Sequence, residues 1–309
     1  MDFSISNPLL RLQTLNLSYN RLSFIDLAEL PNLKILNLDK NYIASIDGLS
    51  NLKVLETVSW REQTLISAYG YSEVQYQHCH EVRNLYLSGN RLSTFDPLRA
   101  FLNLHHLELA STGLQILSSD FGVKCPNLRI ININYNAIRD LQPLLGIVKL
   151  ERLFLAGNRL ARLRKAIYVL QRLGTTLLEV DLRNNPLTVG FHTPQEPTRE
   201  EKWVALQGRN QRADGEDQDP ELKRIEAFLL PVLNKEMDNT LRGRLDEDTK
   251  LRRRVHELLI AHACPHLERL DGVHLDMKVV KKRDGVWERL VELGVINAKA
   301  IMSRDKSDE

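Results

Sequence analysis

The chain has 309 residues, 43% of them apolar, and a formal net charge of +2 from 42 Lys and Arg against 40 Asp and Glu. Such a chain buries a large core, and its balanced charge excludes a global pull toward nucleic acid or membrane. It has no run of about 20 apolar residues, which argues against a membrane span.

The N-terminal stretch "MDFSISNPLL" lacks the basic start and apolar run of a secretory signal. Cys79, Cys125 and Cys264 are too few and too scattered for the cysteine-rich end caps of extracellular repeat proteins. A reducing, intracellular setting is therefore expected. The first repeat opens at residue 12, almost without a cover, although a solenoid end needs a polar one. The expectation is a piece of a longer protein, or an edge folded over by residues 1–11.

From residue 12 one template recurs. "LQTLNLSYNRL" (12–22) reads L-x-x-L-x-L-x-x-N-x-L and returns at 33–43, 82–92, 128–138, 150–160 and 177–187. Two degenerate copies, "LKVLETVSWRE" (52–62) and "LHHLELASTGL" (104–114), fill the gaps, which gives about eight repeats. This predicts an α/β leucine-rich repeat solenoid with a parallel concave β-sheet and a helical C-terminal cap. The leucines of each L-x-L strand alternate inward and stack on the next coil. Asn20, Asn41, Asn90, Asn136, Asn158 and Asn185 form a structural ladder, since an amide both donates and accepts where the chain leaves the strand. In this alignment Trp60 falls in the asparagine column, where indole offers one donor and no acceptor. The coil is expected to open there, ahead of an insertion at 64–81 carrying Tyr69, Tyr71 and Tyr76. Thr112 is a milder change, because a hydroxyl still bonds backbone.

The repeats are assigned to 1–189, a partly disordered loop to 190–221 with Trp203 as a pin, a helical cap to 222–296 and a frayed tail to 297–309. Within the cap we expect a short helix at 222–236 interrupted at Pro231 and a firm helix at 246–263 with Asp246 or Asp248 as N-cap. Leu251, Val255, Leu258, Leu259 and His262 mark its apolar face. "CPHLERLDGV" (264–273) repeats half the template through Leu267 and Leu270 and reads as a closing unit. Another helix is expected over 276–296.

Phosphate-loop, nucleophile-elbow and zincin motifs are absent from the sequence, so no catalytic residue, cofactor or enzyme activity is expected. "HCH" (78–80) lacks the second ligand pair of a zinc site, and no metal is assigned. Arg252, Arg253 and Arg254 either grip a phosphate or form a solvated helix face, with Arg253 and Glu257 spaced for an i,i+4 pair. "KVVKKR" (278–283) reads similarly.

The concave sheet is the surface expected to bind partners. Its outward columns place Tyr86, Phe154, Glu56, Glu108, Asn132, Ile130, Arg152 and Asp181 on that face. Apolar Tyr86, Phe154, Ile130 and Ile35 are read as water-facing anchors, and five acids against two arginines favour a neutral to mildly basic protein.

At "VSWREQ" (58–63), "LDEDTKLRRRVHELL" (245–259) and "LERLDGV" (267–273), the chain resembles the fungal spindle-pole-body scaffolds of the septation initiation and mitotic exit network, whose animal relative is centriolin. The similarity covers nearly all of 12–296. It implies the C-terminal leucine-rich repeat domain of a non-catalytic scaffold in the cytoplasm, on the cytoskeleton at the spindle pole body, supporting cytokinesis signalling. The implied partners are proteins: a spindle pole body anchor, a small-GTPase/GAP module and components of a kinase cascade. No nucleic acid is implied. The matching motif positions are Trp60, Arg61, Glu62, Gln63 and Arg252–Arg254; they either bind, with Arg61, Glu62, Arg252, Arg253 and Arg254 as a secondary surface, or shape the solenoid, which is the favoured role for Trp60. The alternative is a leucine-rich repeat regulatory subunit of a protein phosphatase, from the "I-x-x-I-D-G-L-x-x-L" run of Ile43 to Leu52. An RNA-particle subunit is a third reading.

Overall fold

The computed structural model describes residues 2–3, 9–43, 45–47, 49–63, 81–92, 94–96, 101–192, 228–233, 235–280 and 282–294. The ledge residues Tyr69, Tyr71 and Tyr76, "HCH" 78–80, Trp203, the loop from 193 to 221 and the tail lie outside them.

Asp2–Phe3 (β1), Phe24–Asp26 (β3) and Ser45–Asp47 (β5) pair in parallel as a small second sheet. Eight other strands, one per repeat, make the long sheet: Thr14–Asn16 (β2), Ile35–Asn37 (β4), Thr57–Ser59 (β6), Asn84–Tyr86 (β7), His106–Glu108 (β8), Ile130–Asn132 (β9), Arg152–Phe154 (β10) and Glu179–Asp181 (β11). They pair in parallel and in register, so Leu36, Val58, Leu85, Leu107, Ile131, Leu153 and Val180 stack inward and are buried. At about 25 cal/mol per Å² of apolar surface removed from water, this column and the leucines flanking it supply the main drive to fold.

The ladder amides bond backbone across adjacent coils. Asn41 donates to the carbonyls of Leu38 and of Leu17 one coil back, and its oxygen accepts from Leu22 N at 3.1 Å. Asn158 repeats this with Leu155, Ile133 and Ile138. Thr112 Oγ1 donates to Leu109 O at 2.9 Å, while Asn136 takes up the freed N–H groups of Thr112, Gly113 and Leu114.

The third repeat sits in a different register from the one expected. Val58, not Leu55, pairs with Leu36 and Leu85, so the repeat reads "LETVSWREQTL" from Leu55. Trp60 then replaces the second strand leucine and is wholly buried in the core, and Gln63 replaces the asparagine. Gln63 Oε1 accepts from Ile43 N at 3.1 Å, and its Nε2 donates to Leu38 O at 2.8 Å and Arg61 O at 3.0 Å. Backbone geometry agrees: the residue before each ladder position has positive φ, and Glu62 (φ 51°) joins Lys40, Gly89, Tyr135, Gly157 and Asn184. The coil therefore closes at Trp60 rather than opening. A longer amide arm reaches the same backbone partners when a leucine becomes an indole.

Phe121–Lys124 (α1) and Leu163–Leu173 (α2) fill the convex side. The cap holds Lys235–Arg244 (α3), Glu247–Ala263 (α4), the strands Arg269–Leu270 (β12) and Val273–His274 (β13), Met277–Val280 (α5) and Gly285–Glu292 (α6). β12 extends the long sheet in parallel beside β11, and β13 turns back antiparallel and ends it. Asp246 caps α4 through Thr249 N at 2.9 Å. α4 packs on α2 so closely that a Cβ at Gly174 would lie 2.1 Å from Ala263 O.

Three cap expectations change. Residues 228–233 are not α-helical and the helix begins only at Lys235; Pro231 lacks an N–H and biases its predecessor away from helix. The 276–296 helix divides, because Asp284 caps a new start through Trp287 N at 2.9 Å. The buried side of α4 carries Thr249, Arg253, His256, Glu257 and Ile260 beside Leu258; Val255 and Leu259 of the expected face are partly buried against the core, and Leu251 is exposed.

Candidate functional site

The concave face is built from polar side chains that first serve the backbone. The N–H two residues beyond each strand centre's outward neighbour faces the preceding coil, where no strand carbonyl meets it. Asn16, Asn37, Asn132 and Asp181 accept it within their own repeats, to Ser18, Asp39, Asn134 and Arg183. Asp39, Ser88 and Asn134 accept it from the following repeat, through Arg61, Ala110 and Ala156. Asn132 and Asp181, expected as partner contacts, thus answer a buried donor that would be costly to strand.

Around Arg61 these columns condense into an ionic cluster. Arg61 Nε and Nη2 grip Glu108 Oε1 and Oε2 at 2.6 and 2.9 Å, and Nη1 lies 3.7 Å from Asp39 Oδ2. Ser59 Oγ donates to Asp39 Oδ1 at 2.7 Å, and the guanidinium lies over the Tyr86 ring at 4.4 Å. The Tyr86 hydroxyl is 3.4 Å from His106 Nδ1, with the rings edge to face. Burial works against the Arg61 charge, but the hydrogen bond and charge of Glu108 hold its pKa above the ordinary value. Burial raises the Glu108 carboxyl, against the pull of Arg61. Burial, with the charges of Arg61 and Arg152, pushes His106 down to about 4, so this imidazole is neutral at pH 7.

Tyr86 and Phe154 do not stand in water: they are 4% and 6% exposed. Ile35 and Arg152 are exposed and Ile130 is half-buried. The shifted register removes Glu56 from the concave columns; it is a half-buried residue whose carboxylate lies 3.6 Å from Arg83. Thr57, Ser59 and Arg61 stand in the outward columns of this repeat instead, Ser59 in the place expected for Glu56. Arg61 is thus a core member of the concave face rather than a secondary one. Glu62 is half-buried, pairs with Lys40 at 3.4 Å, and packs against Gly89, where a Cβ would lie 2.7 Å from its Cγ.

The chain itself occupies the C-terminal end of this face. Phe228 O accepts from Asn134 Nδ2 at 3.0 Å and Asn132 Nδ2 at 3.3 Å. Pro231 O accepts from Arg183 Nη1 at 2.8 Å, Leu233 N donates to Gly272 O at 2.9 Å, and Leu230 is buried. Arg183 is itself held on Asp181 by Nε at 3.0 Å and Nη2 at 2.6 Å. It lies flat against Gly272, where a Cβ would come within 2.8 Å of the guanidinium. Sequence reasoning missed this strap, whose one signal is an apolar "FLLPVL" run that Pro231 keeps out of a helix.

The three arginines of α4 hold the cap together. Arg253 is buried and reaches Asp238 at 2.5 Å, Glu257 at 3.1 Å (the expected i,i+4 pair) and Phe191 O at 3.0 Å. Arg242 joins the same two carboxylates at 2.7 and 2.5 Å. Although burial pushes Asp238 up, hydrogen bonds from Arg242 and Arg253 hold it below its ordinary value. Arg254 binds Asp284 at 3.0 Å, and exposed Arg252 pairs with Asp248 at 3.1 Å. Beside them Asp271 Oδ2 lies 3.2 and 3.5 Å from the Nε2 atoms of His256 and His192, and Oδ1 accepts from Leu182 N at 2.7 Å. Among the described residues, no group of three or more His, Cys, Asp or Glu is arranged to hold a metal ion, and no helix is long and apolar enough to cross a membrane.

The family model described as "Leucine Rich repeats (2 copies)" matches residues 10–51. Over 251 residues, 80% of this chain, the sequence is 30% identical to the septation initiation network scaffold protein cdc11 of Schizosaccharomyces pombe. The chain has a leucine-rich repeat fold and is similar over four-fifths of its length to a septation scaffold. It spans 23% of that relative's length. The leucine-rich repeat-containing G-protein coupled receptor 5 of Xenopus tropicalis is 31% identical, over 45% of this chain and 15% of the receptor. Among solved structures, internalin C2 of Listeria monocytogenes aligns with a TM-score of 0.49 at 25% identity, over 56% of this chain and 72% of the internalin.

Proposed function

We propose that this chain is the protein-binding domain of a scaffold at the spindle pole body, where it supports septation and mitotic exit signalling. The observation that carries the reading is the similarity to a septation initiation scaffold across four-fifths of the chain. The chain is not an enzyme: its relative is a scaffold and its fold offers a ribbon of stacked coils to other proteins. By the same resemblance its partners are a pole anchor, a GTPase/GAP module and kinase-cascade components. A partner that uses Phe154 has to displace the strap at Phe228–Leu233, because Phe154 sits in register between Asn132 and Asp181, and the strap engages Asn132, Asn134 and Arg183.

The test is made in the full-length protein in its own cells, by deleting residues 12–294 and following a fluorescent fusion through division. Loss of the pole signal or failure of the septum is expected. Septation on time with the deleted protein still at the poles overturns the reading.

A further inference from the structure

Between Glu151 and Glu179 the chain has no Asp or Glu but six cations: Arg152, Arg159, Arg162, Arg164, Lys165 and Arg172. For a chain with 42 Lys and Arg against 40 Asp and Glu, this is a sharp local departure. The fold gathers five of the six at one place. α2 buries Ala166, Val169, Leu170 and Leu173 and turns Arg164, Lys165, Tyr168 and Arg172 outward along its opposite face. Exposed Arg159 and Arg162 lie just ahead of its first turn.

Some surface cations elsewhere meet carboxylates across neighbouring repeats: Lys40 with Glu62, Lys124 with Asp96 and Arg129 with Glu151, at 3.3 to 3.4 Å. Among the described residues, none of Arg159, Arg162, Arg164, Lys165 and Arg172 has a carboxylate within ion-pair distance. Their position also runs against helix stability. The N-terminal end of a helix favours anions, yet the first turn of α2 holds no acid and Arg162, at its N-cap, makes no side-chain cap bond. α2 is pressed onto α4 at Gly174, and Arg172 is stacked on half-exposed Tyr168 at 3.6 Å with Nη1 on Tyr168 O.

We propose that the outward face of α2, with Arg159 and Arg162 beside it, is a docking surface for an acidic segment of a partner protein. Guanidinium groups bind carboxylates and phosphoryl oxygens in bidentate fashion. A helix of 11 residues is about 16 Å long, a span suited to a short peptide. A long polyanion gains from a field spread over the molecule, and this molecule is close to neutral. A membrane surface would meet no large apolar side chain on this face beyond Tyr168. The inference is independent of the septation reading, because its test is made with the isolated chain and a synthetic peptide.

The probe is a fluorescein-labelled peptide of alternating Glu and Ser, titrated by anisotropy against the full 309-residue chain at low and moderate salt. The variant Arg164→Gln/Lys165→Gln/Arg172→Gln is expected to bind at least about tenfold more weakly. The charge-matched control Arg11→Gln/Lys34→Gln/Arg91→Gln should change affinity less than twofold. All six side chains are exposed, and the single Lys165→Glu variant serves if the triple one loses its cooperative melt. Unchanged peptide binding by the α2 variants, or equal weakening in the control, overturns the proposal. So does tighter binding of duplex DNA or of phosphatidylserine vesicles than of the peptide at matched charge.

Discussion

Arg61 and Glu108, from repeats three and five, meet in a buried two-pronged ion pair at 2.6 and 2.9 Å that bridges the strand of repeat four beneath Tyr86. Removing one partner from such a pair leaves an uncompensated charge, at a cost of about 3–5 kcal/mol, whereas replacing both with apolar groups is often neutral. Arg61→Met alone is therefore expected to lower stability by about 3–5 kcal/mol, and Arg61→Met with Glu108→Leu to recover most of it. Urea unfolding of the two variants measures this. Equal losses in the single and double variants would refute it.

The shifted third repeat predicts an unusual pair of effects. Gln63→Ala strands Ile43 N, while Leu38 O and Arg61 O keep the donors of Asn41 and Lys40, and should cost about 1–3 kcal/mol. Trp60→Ala should cost about 3–5 kcal/mol, because its indole fills core space. If Trp60 instead stood in a turn, as the unshifted alignment places it, truncation would cost well under 2 kcal/mol by the same scale. The denaturation midpoints decide between the two.

His106 makes stability depend on pH. Its pKa is about 4 in the fold and near 6.5 unfolded. Between these values the unfolded chain binds a proton that the folded one refuses. Stability therefore falls as pH drops through this window, by about 3 kcal/mol in all. His106→Phe should flatten the profile of unfolding free energy there. An unaltered slope would show that burial of this ring does not control it.

The strap predicts exposure on demand. Leu230→Asp removes a buried side chain from its attachment and leaves Asn134, which also accepts from Ala156 N, in place. Hydroxyl-radical footprinting is expected to show several-fold faster labelling of Phe154 with the melting temperature lowered only modestly. Unchanged protection would mean that the strap does not guard this residue.

In the cap, Arg253 neutralises Asp238 and Glu257 together. Arg253→Ala should destabilise the chain by about 3–5 kcal/mol. Lys at this position should rescue only part of that, since an ammonium cannot fork between two carboxylates and a carbonyl. Thermal melts of both variants provide the check.

The sequence by itself determined the solenoid, the asparagine ladder and the capped helix from Glu247, because each rests on local spacing: leucines every few residues, an amide at each turn, an aspartate before a helix. The register of the third repeat was not local. Leu52 and Leu55 fit the template as well as Leu55 and Val58 do, and only pairing with Leu36 and Leu85 separates them. The concave columns gave the identity of the side chains but not their exposure. Tyr86 and Phe154 look like water-facing anchors until Arg61, His106 and the strap are brought beside them from distant parts of the chain. Tertiary structure alone decided which charges are paired, which amides serve the backbone and which face stays open, since burial and ion pairing depend on neighbours that the linear order does not specify.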